Sequence, residues 1–188
     1  QLLRVRPEIE PKPSARPLQR VEGAIRFEDV TFGYRPDAPV LRSLSFALEA
    51  GKSAALVGPS GSGKSTVIRL LTRFYDPQDG RVLLDGHDLR DVDRDSLRRQ
   101  VVAIQQEDGL FSRSVAENVS LEDVTDPDDP ALWRAAQDAN ATDLIRRLPQ
   151  GMATVLEERG RNLSAGERQL LQFARAFYHR AAVLVLDE

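Results

Sequence analysis

Cysteine is absent from this chain of 188 residues, which excludes disulfides and thiolate metal sites. No apolar run reaches the roughly 18 residues that a membrane-crossing helix needs, and the first residues lack the basic-then-apolar pattern of a signal peptide. The formal net charge is only -3, so no broad field favours nucleic acid, and we expect no nucleic-acid partner. His87 and His179 stand far apart without ligand spacing and are expected to be exposed or capping residues.

The chain begins with a proline-rich stretch that differs from the remainder. Residues 1–22 contain Pro7, Pro11, Pro13 and Pro17 with charges of both signs between them. Proline lacks an amide donor and fixes its own φ, so this stretch is predicted to be a linker without a normal helix or central strand. Residues 23–188 are long enough to form one folded domain around a single core.

Periodicity along 23–188 predicts interleaved strands and helices. Residues 24–30 alternate as a strand whose buried side carries Ile25, Phe27 and Asp29. Residues 53–57 and 182–186 are short apolar runs expected to be buried strands, the second of them central in its sheet. Helix is predicted over 64–73, through much of 115–148, and from Ser164 towards Tyr178. We therefore predict an α/β fold with a mainly parallel core sheet, an antiparallel β edge near the N-terminus and an inserted α-helical subdomain at about 107–167.

The strongest motif is a glycine-rich loop, GPSGSGKST at 58–66, which matches the phosphate loop G-x-x-x-x-G-K-[ST] between an apolar run and an amphipathic helix. Glycines let the backbone amides point inward, and the helix adds its positive N-terminal end. Lys64 can bridge the β- and γ-phosphates of ATP, and the Ser65 hydroxyl can bind Mg²⁺. The predicted phosphate-binding residues are Gly58, Pro59, Ser60, Gly61, Ser62, Gly63, Lys64, Ser65 and Thr66. This motif predicts a P-loop NTPase core.

Two acids follow the last apolar run, VLVL at 183–186. An acid at the carboxyl end of a core strand lies at the sheet edge where phosphate loops also lie. Asp187 is therefore predicted to hold Mg²⁺ through water, and Glu188 to polarise the water that attacks ATP.

A third motif, NLSAGERQ at 162–169, narrows the family. By itself, Ser164 with Glu167 is a capping box that any helix can use. Placed shortly before the acidic strand, it resembles the signature sequence of ABC transporter ATPases, usually Leu-Ser-Gly-Gly-Gln. The resemblance covers roughly residues 24–188. It implies that Ser164 and Gly166 contact the γ-phosphate of an ATP held by a partner subunit.

Weaker positions agree with the same resemblance. Tyr34 matches the aromatic residue that stacks on adenine, and Gln106 matches the glutamine that senses Mg²⁺ and water, with Gln105 as the neighbouring alternative. The motif ERG at 158–160 resembles one that exporter-type ABC domains place against cytoplasmic loops of their membrane domain. Such loops are expected near Phe111 and Glu158.

The resemblance implies an ATP-hydrolysing, Mg²⁺-dependent motor domain of an exporter, at the cytoplasmic face of a membrane, such as the bacterial inner membrane. It would pair with a second nucleotide-binding domain in a homodimer or heterodimer. Catalysis would rest on Glu188, Gln106 and Lys64, and Mg²⁺ binding on Ser65, Gln106 and Asp187. The family continues beyond Glu188, so we expect a fragment that binds nucleotide poorly and turns over negligibly.

Two departures keep an alternative function open. Ala165 replaces the usual first glycine of the signature, and Glu167 adds negative charge where the helix end should face an anion. These changes would suit a degenerate or regulatory site in one half of a heterodimeric transporter. A soluble ABC-type ATPase acting on DNA or ribosomes is the less favoured alternative, because 106–163 is too short for a long coiled coil and the charge is not basic.

Overall fold

The structure is a computed structural model that describes residues 15–105 and 110–187. Gln106 and Glu188, two residues of the predicted site, lie outside this description. The chain divides into two compact units, Gln1–Val101 and Val102–Glu188, which are described separately below as the N-terminal and C-terminal units. Their elements establish a mixed α/β fold, which confirms the predicted fold class.

The N-terminal unit is built on an antiparallel sheet of four strands. These are β1 (Ile25–Phe32), β2 (Leu41–Leu48), β3 (Asp79–Leu84) and β4 (His87–Asp88), in the order β2-β1-β3-β4. Ile25 and Phe27 are buried, as the alternation predicts, but the pattern then breaks at a register irregularity. Asp29 is exposed with φ of 48°, and Val30 is fully buried in its place. The predicted inward position of Asp29 is wrong because this bulge shifts the alternation by one residue.

Two helices and a short 3-10 turn complete the N-terminal unit: α1 (Lys64–Leu71), the 3-10 turn Leu89–Asp91 and α2 (Arg94–Gln100). Helix α1 has a core stripe, because Val67, Ile68, Leu70 and Leu71 are all buried. Asp93 begins α2 by accepting a hydrogen bond from the Ser96 amide at 2.8 Å, which satisfies a helix-end donor. Burial of the core stripe fixes the orientation of α1 and so positions its first residue, Lys64.

The strand predicted over 53–57 is not formed. Within the part of the chain that the structure describes, residues 52–59 lie in no helix or strand, and Val57 is 92% exposed. A strand persists only where neighbouring strands take its backbone hydrogen bonds. The two sheets of the described residues offer 53–57 no such neighbour.

Residues 16–24 are held along the N-terminal unit by hydrogen bonds. The Arg16 amide donates to the Asp91 carbonyl at 3.0 Å, and the Asp93 amide donates to the Arg16 carbonyl at 2.9 Å. Further along, the Asp85 carboxylate accepts hydrogen bonds from three successive backbone amides, those of residues 22, 23 and 24, at 2.8, 3.1 and 2.8 Å. The described part of the proline-rich stretch is therefore docked, although it contains neither helix nor full strand.

The C-terminal unit is mainly helical. It contains α3 (Val115–Ser120), α4 (Pro130–Asp138), α5 (Thr142–Arg147), 3-10 turns at Gly151–Ala153 and Glu158–Gly160, and α6 (Ala165–Tyr178). Asp129 caps α4 and Pro130 occupies its first turn, where proline is well tolerated. The core of this unit is one apolar cluster in which α6 packs against α3 and α4, with Val119, Ile145 and Leu171 completely buried.

Strands β5 (Val101–Gln105) and β6 (Val183–Asp187) form a separate two-stranded sheet. Val183 is buried, but Leu184 and Leu186 are 39% and 54% exposed, so β6 is not the central strand that its apolar sequence predicts. Among the described residues β6 pairs only with β5, so the backbone groups along its other edge have no neighbouring strand. In residues 15–105 and 110–187, no helix has both the length and the apolar character needed to cross a membrane.

Candidate nucleotide-binding site

The loop at 58–63 leads directly into α1. Gly63 occupies the residue before the helix with φ of 94°, a left-handed conformation that a side chain disfavours. A Cβ atom there would lie 2.7 Å from Cδ2 of Leu41, so only glycine fits without displacing that core side chain. The sequence thus dictates a close approach of loop and sheet, and Lys64 follows as the first helical residue.

Lys64 folds back over the loop. Its Nζ atom donates hydrogen bonds to the carbonyl oxygens of Gly58 and Pro59, at 2.7 and 3.0 Å. Residues 58–62 are exposed, so this ammonium group is accessible to solvent and to an anion. A phosphate group would compete with two neutral carbonyls for the ammonium, a favourable exchange because charge-assisted hydrogen bonds are the stronger ones.

Tyr34 is tied to the same helix. Its hydroxyl lies 3.1 Å from Oγ1 of Thr66 and accepts a hydrogen bond from Nη1 of Arg69 at 2.8 Å. The ring is 45% exposed and makes edge contacts with Phe32 and Tyr75. The N-terminal unit therefore brings together an exposed aromatic ring and the phosphate loop, two parts of the predicted ATP site.

The signature segment begins α6 with a closed capping box. Oγ of Ser164 accepts a hydrogen bond from the Glu167 amide at 3.2 Å, and the Glu167 carboxylate accepts one from the Ser164 amide at 2.9 Å. Ser164, Ala165 and Gly166 are exposed. Hydrogen bonds to the carboxylate from the Ser164 backbone amide and from the Ser164 side chain hold the pKa of the Glu167 carboxyl below its ordinary value of 4.5. The carboxylate therefore stays charged at the helix end at neutral pH.

Helix α3 begins in the same way. Ser114 and Glu117 form a second capping box, and the hydrogen bonds from Ser114 lower the pKa of the Glu117 carboxyl from 4.5. A carboxyl whose pKa is lowered by folding adds stability above its unfolded pKa, and that stability is lost as the pH falls through the folded value. Both helices thus lose part of their N-terminal stabilisation in acid.

We expect the free energy of unfolding to fall as the pH is lowered below about 4.5, and to fall less steeply in a Glu117→Gln, Glu167→Gln double variant. Glutamine can still close a capping box but does not titrate. The measurement is the urea midpoint of the domain between pH 3 and pH 7. The exposed pair Glu49→Gln and Glu122→Gln serves as the control. If the urea midpoint of the Glu117→Gln, Glu167→Gln variant falls with decreasing pH as steeply as that of the unmodified protein, this account is contradicted.

Phe111, near which a membrane-domain contact is predicted, is held by the buried side-chain amide of Asn118. Oδ1 of Asn118 accepts from the Phe111 amide at 2.7 Å, and its Nδ2 donates to the Phe111 carbonyl at 3.0 Å. Arg175 of α6 donates to the Asn118 carbonyl at 2.8 Å, and its guanidinium carbon lies 5.9 Å from the centre of the Phe111 ring. Burial lowers the pKa of Arg175. Phe111 remains 55% exposed, so its ring is held in place yet presented to solvent. Glu158 is also exposed, at the start of a 3-10 turn.

Of the remaining predicted site residues, Asp187 lies in the C-terminal unit, while Gln106 and Glu188 lie outside the described residues. Asp187 ends β6 and is half-buried. The predicted roles of Gln106 and Glu188 stay predictions. Over 15–105 and 110–187 there is no group of three His, Cys, Asp or Glu side chains that could hold a metal ion. A cation here would need oxygen atoms from a phosphate ligand and water as well.

Sequence patterns do not identify three residues that hold predicted contact residues in place. Arg69 holds the Tyr34 hydroxyl, Gln78 makes two hydrogen bonds to the backbone of Gly33, and Arg175 lies against Phe111. The one available signal is the spacing of Thr66 and Arg69, which places both on one face of a helix. Their contacts with residues far away in sequence follow only from the fold.

The glycine-rich loop, the lysine that opens α1 and the aromatic ring tied to that helix define a nucleotide-binding domain of the P-loop class. Residues 41–188 match the ABC transporter family. The chain is 45% identical, over its full length, to the mitochondrial iron-sulfur clusters transporter atm1 of Aspergillus fumigatus, of which it covers 26%. Over 90% of its length it is 45% identical to the ATP-dependent lipid A-core flippase of Alcanivorax borkumensis, covering 29% of that protein.

A solved structure agrees. The structure of a bacterial Atm1-family ABC exporter with ATP bound superposes with a TM-score of 0.89 at 39% identity, covering 100% of this chain and 32% of that one. The chain therefore belongs to the ABC transporter family, and it is a nucleotide-binding domain of the exporter type. It spans about a quarter of the length of the curated transporters named above.

Proposed function

We propose that this chain is the motor domain of a membrane exporter, which binds and hydrolyses ATP together with a second nucleotide-binding domain. The observation that carries the proposal is the arrangement of Lys64 over an exposed glycine-rich loop at the start of α1. Phosphoryl transfer to water requires positioning and charge stabilisation more than covalent chemistry, and this loop provides both.

ATP would contact the N-terminal unit with both its adenine base and its phosphates. The exposed ring of Tyr34 would stack on adenine, and the amides of 58–66 with Lys64 would bind the phosphates. Glu188 would polarise the attacking water, and Gln106 would orient it. The Ser65 hydroxyl and the Asp187 carboxylate are hard oxygen donors of the kind Mg²⁺ prefers, with Gln106 as a further ligand. Bound there, Mg²⁺ would neutralise charge on the phosphates.

The signature segment supports a partner subunit. Glycine favours helix less than alanine does, so its presence in the first turn of α6 calls for a reason. At Gly166 the φ angle is not positive and an added Cβ would meet nothing within 4 Å in this chain. The exposed Ser164 and Gly166 are thus free for a close approach from outside, and we propose the γ-phosphate of an ATP held by the opposite subunit.

The transmembrane partner would dock beside Phe111 and Glu158. The Phe111 ring is exposed while its backbone is pinned by Asn118, as suits an apolar anchor for a cytoplasmic loop. This arrangement would put the domain at the cytoplasmic face of its membrane, and we propose the bacterial inner membrane. Since ATP favours the closed dimer, the difference in ATP affinity between closed and open states would drive the transmembrane domain.

A regulatory role for one of two unequal ATP sites is the second candidate. The Glu167 carboxylate lies at the N-terminal end of α6 and takes up the Ser164 amide, which leaves both less favourable for an anion. Such a signature would serve the slower site of a heterodimer.

Cysteine cross-linking tests the head-to-tail pairing, because the chain has no cysteine of its own. In the full-length protein, freed of any other cysteines, we expect the pair Ser62→Cys and Ser164→Cys to form an intersubunit disulfide with ATP and not without nucleotide. Each single variant is the matched control. If the pair stays unlinked with ATP while ATP is hydrolysed, the proposed pairing is wrong. If the disulfide forms only with a distinct second chain, the heterodimer is favoured.

A further inference from the structure

We infer that Arg69 is a positioning residue for recognition of the base, because it fixes the Tyr34 ring by its hydroxyl. This inference rests on the proposed ATP site and extends it to a residue outside the phosphate loop. Arg69 is exposed and lies at the end of α1, about one turn beyond Ser65 and Thr66. Arg69 lies outside the loop motif at 58–66.

The hydroxyl of Tyr34 links two side chains of α1. Guanidinium nitrogens only donate, so the phenol oxygen is the acceptor of the 2.8 Å bond from Arg69. The phenol hydrogen is then free to be donated to Oγ1 of Thr66, 3.1 Å away, and hydrogen bonds in such a chain strengthen one another. The guanidinium carbon also lies 5.6 Å from the ring centre, within range of a cation–π interaction.

The rest of the ring is constrained from other sides. Phe32 and Tyr75 contact it edge-on, with ring centres 5.2 and 5.3 Å away. Gly33, the residue before Tyr34, is held by the Gln78 side chain, which makes two hydrogen bonds to its backbone at 2.8 and 2.9 Å. The Gly33 backbone and the Tyr34 ring are thus also held by Phe32, Tyr75 and Gln78, while the hydroxyl is held by α1.

This geometry joins two binding events. The helix that begins with Lys64 and Ser65 also holds the ring proposed to contact the base, through Thr66 and Arg69. A ring held in advance loses less rotational freedom when a base stacks on it, so ligands with a base benefit from Arg69 and ligands without one do not. Removing Arg69 should therefore weaken nucleotide binding in proportion to the contribution of the base.

The test compares a non-hydrolysable ATP analogue with inorganic tripolyphosphate in the full-length protein. For Arg69→Met we expect affinity for the analogue to fall about three- to tenfold, the range of one lost hydrogen bond. Affinity for tripolyphosphate should stay within about twofold, and Arg69→Lys should restore part of the loss because it keeps a donor. Arg42→Met, an exposed arginine on β2, is the matched control.

A double-variant cycle separates positioning from general effects. In a Tyr34→Phe background the hydroxyl is gone, so Arg69→Met should cost little more. Equal losses for the analogue and tripolyphosphate, or additive losses with Tyr34→Phe, would overturn the inference. If Tyr34→Ala leaves analogue binding unchanged while Lys64→Ala abolishes it, the base contact is wrong and the phosphate site stands. If Lys64→Ala changes neither ligand, the proposed ATP site fails and this inference falls with it.

Discussion

Replacing Lys64 with alanine is expected to lower ATP hydrolysis by the full-length protein roughly 100-fold or more, the scale on which a preorganised charge at a reacting group acts. The ammonium lies over the loop carbonyls of Gly58 and Pro59, ready to exchange them for phosphate oxygens. Because these carbonyls are exposed, water can satisfy them in the variant. The fold should therefore be affected far less than the activity.

Lys52→Ala is the matched control for Lys64→Ala. Lys52 is exposed, lies ahead of the loop and has no predicted contact with nucleotide. The measurement is the steady-state rate of phosphate release with the thermal unfolding midpoint of each variant alongside. Hydrolysis within about threefold of the unmodified protein in Lys64→Ala would contradict the phosphate-site proposal. A lowered unfolding midpoint together with lost activity would instead show that Lys64 supports the loop itself.

Replacing Glu188 with glutamine is expected to lower hydrolysis by roughly 100- to 10,000-fold, the contribution of a general base, while ATP binding is retained. Glutamine keeps the size of the side chain and removes the charge that we propose polarises the attacking water. ATP should then accumulate in the closed dimer. The readout is nucleotide retained on the protein after rapid gel filtration, compared with the rate of phosphate release.

Glu49→Gln, an exposed acid at the end of β2, is the matched control for Glu188→Gln. If Glu188→Gln hydrolyses ATP at the unmodified rate, the general-base role is refuted. A different result would favour the regulatory role that Ala165 and Glu167 suggest. In that case the unmodified protein would itself retain ATP and hydrolyse it slowly, and Glu188→Gln would change neither retention nor rate.

Local patterns predict the parts of this site that involve near neighbours in the chain. Gly63 and Lys64 form a loop-to-helix junction that is dictated by adjacent residues, and the Ser164–Glu167 capping box is a spacing of three. The core stripe of α1 follows from helical periodicity. These features need little from the rest of the fold.

Contacts between distant residues could not be predicted in this way. Tyr34 and Arg69 are 35 positions apart, and nothing in either neighbourhood indicates the other. The bulge at Asp29 shifts the alternation of β1 by one residue. The apolar run at 53–57 has the pattern of a strand, yet no strand in residues 15–105 and 110–187 pairs with it. In each case the outcome depends on which strands lie alongside, information that periodicity does not contain.

The three amides gathered by Asp85 have a mechanical consequence. A pull on the chain ahead of residue 22 would be resisted by two sets of hydrogen bonds. One set joins residues 22–24 to the turn between β3 and β4, and the other joins Arg16 to Asp91 and Asp93. The bonds of Arg16 and then those of residues 22–24 would have to break before β1 could peel from its sheet. Force applied to this segment would therefore reach the four-stranded sheet through the turn between β3 and β4 and the Leu89–Asp91 turn as well as through β1.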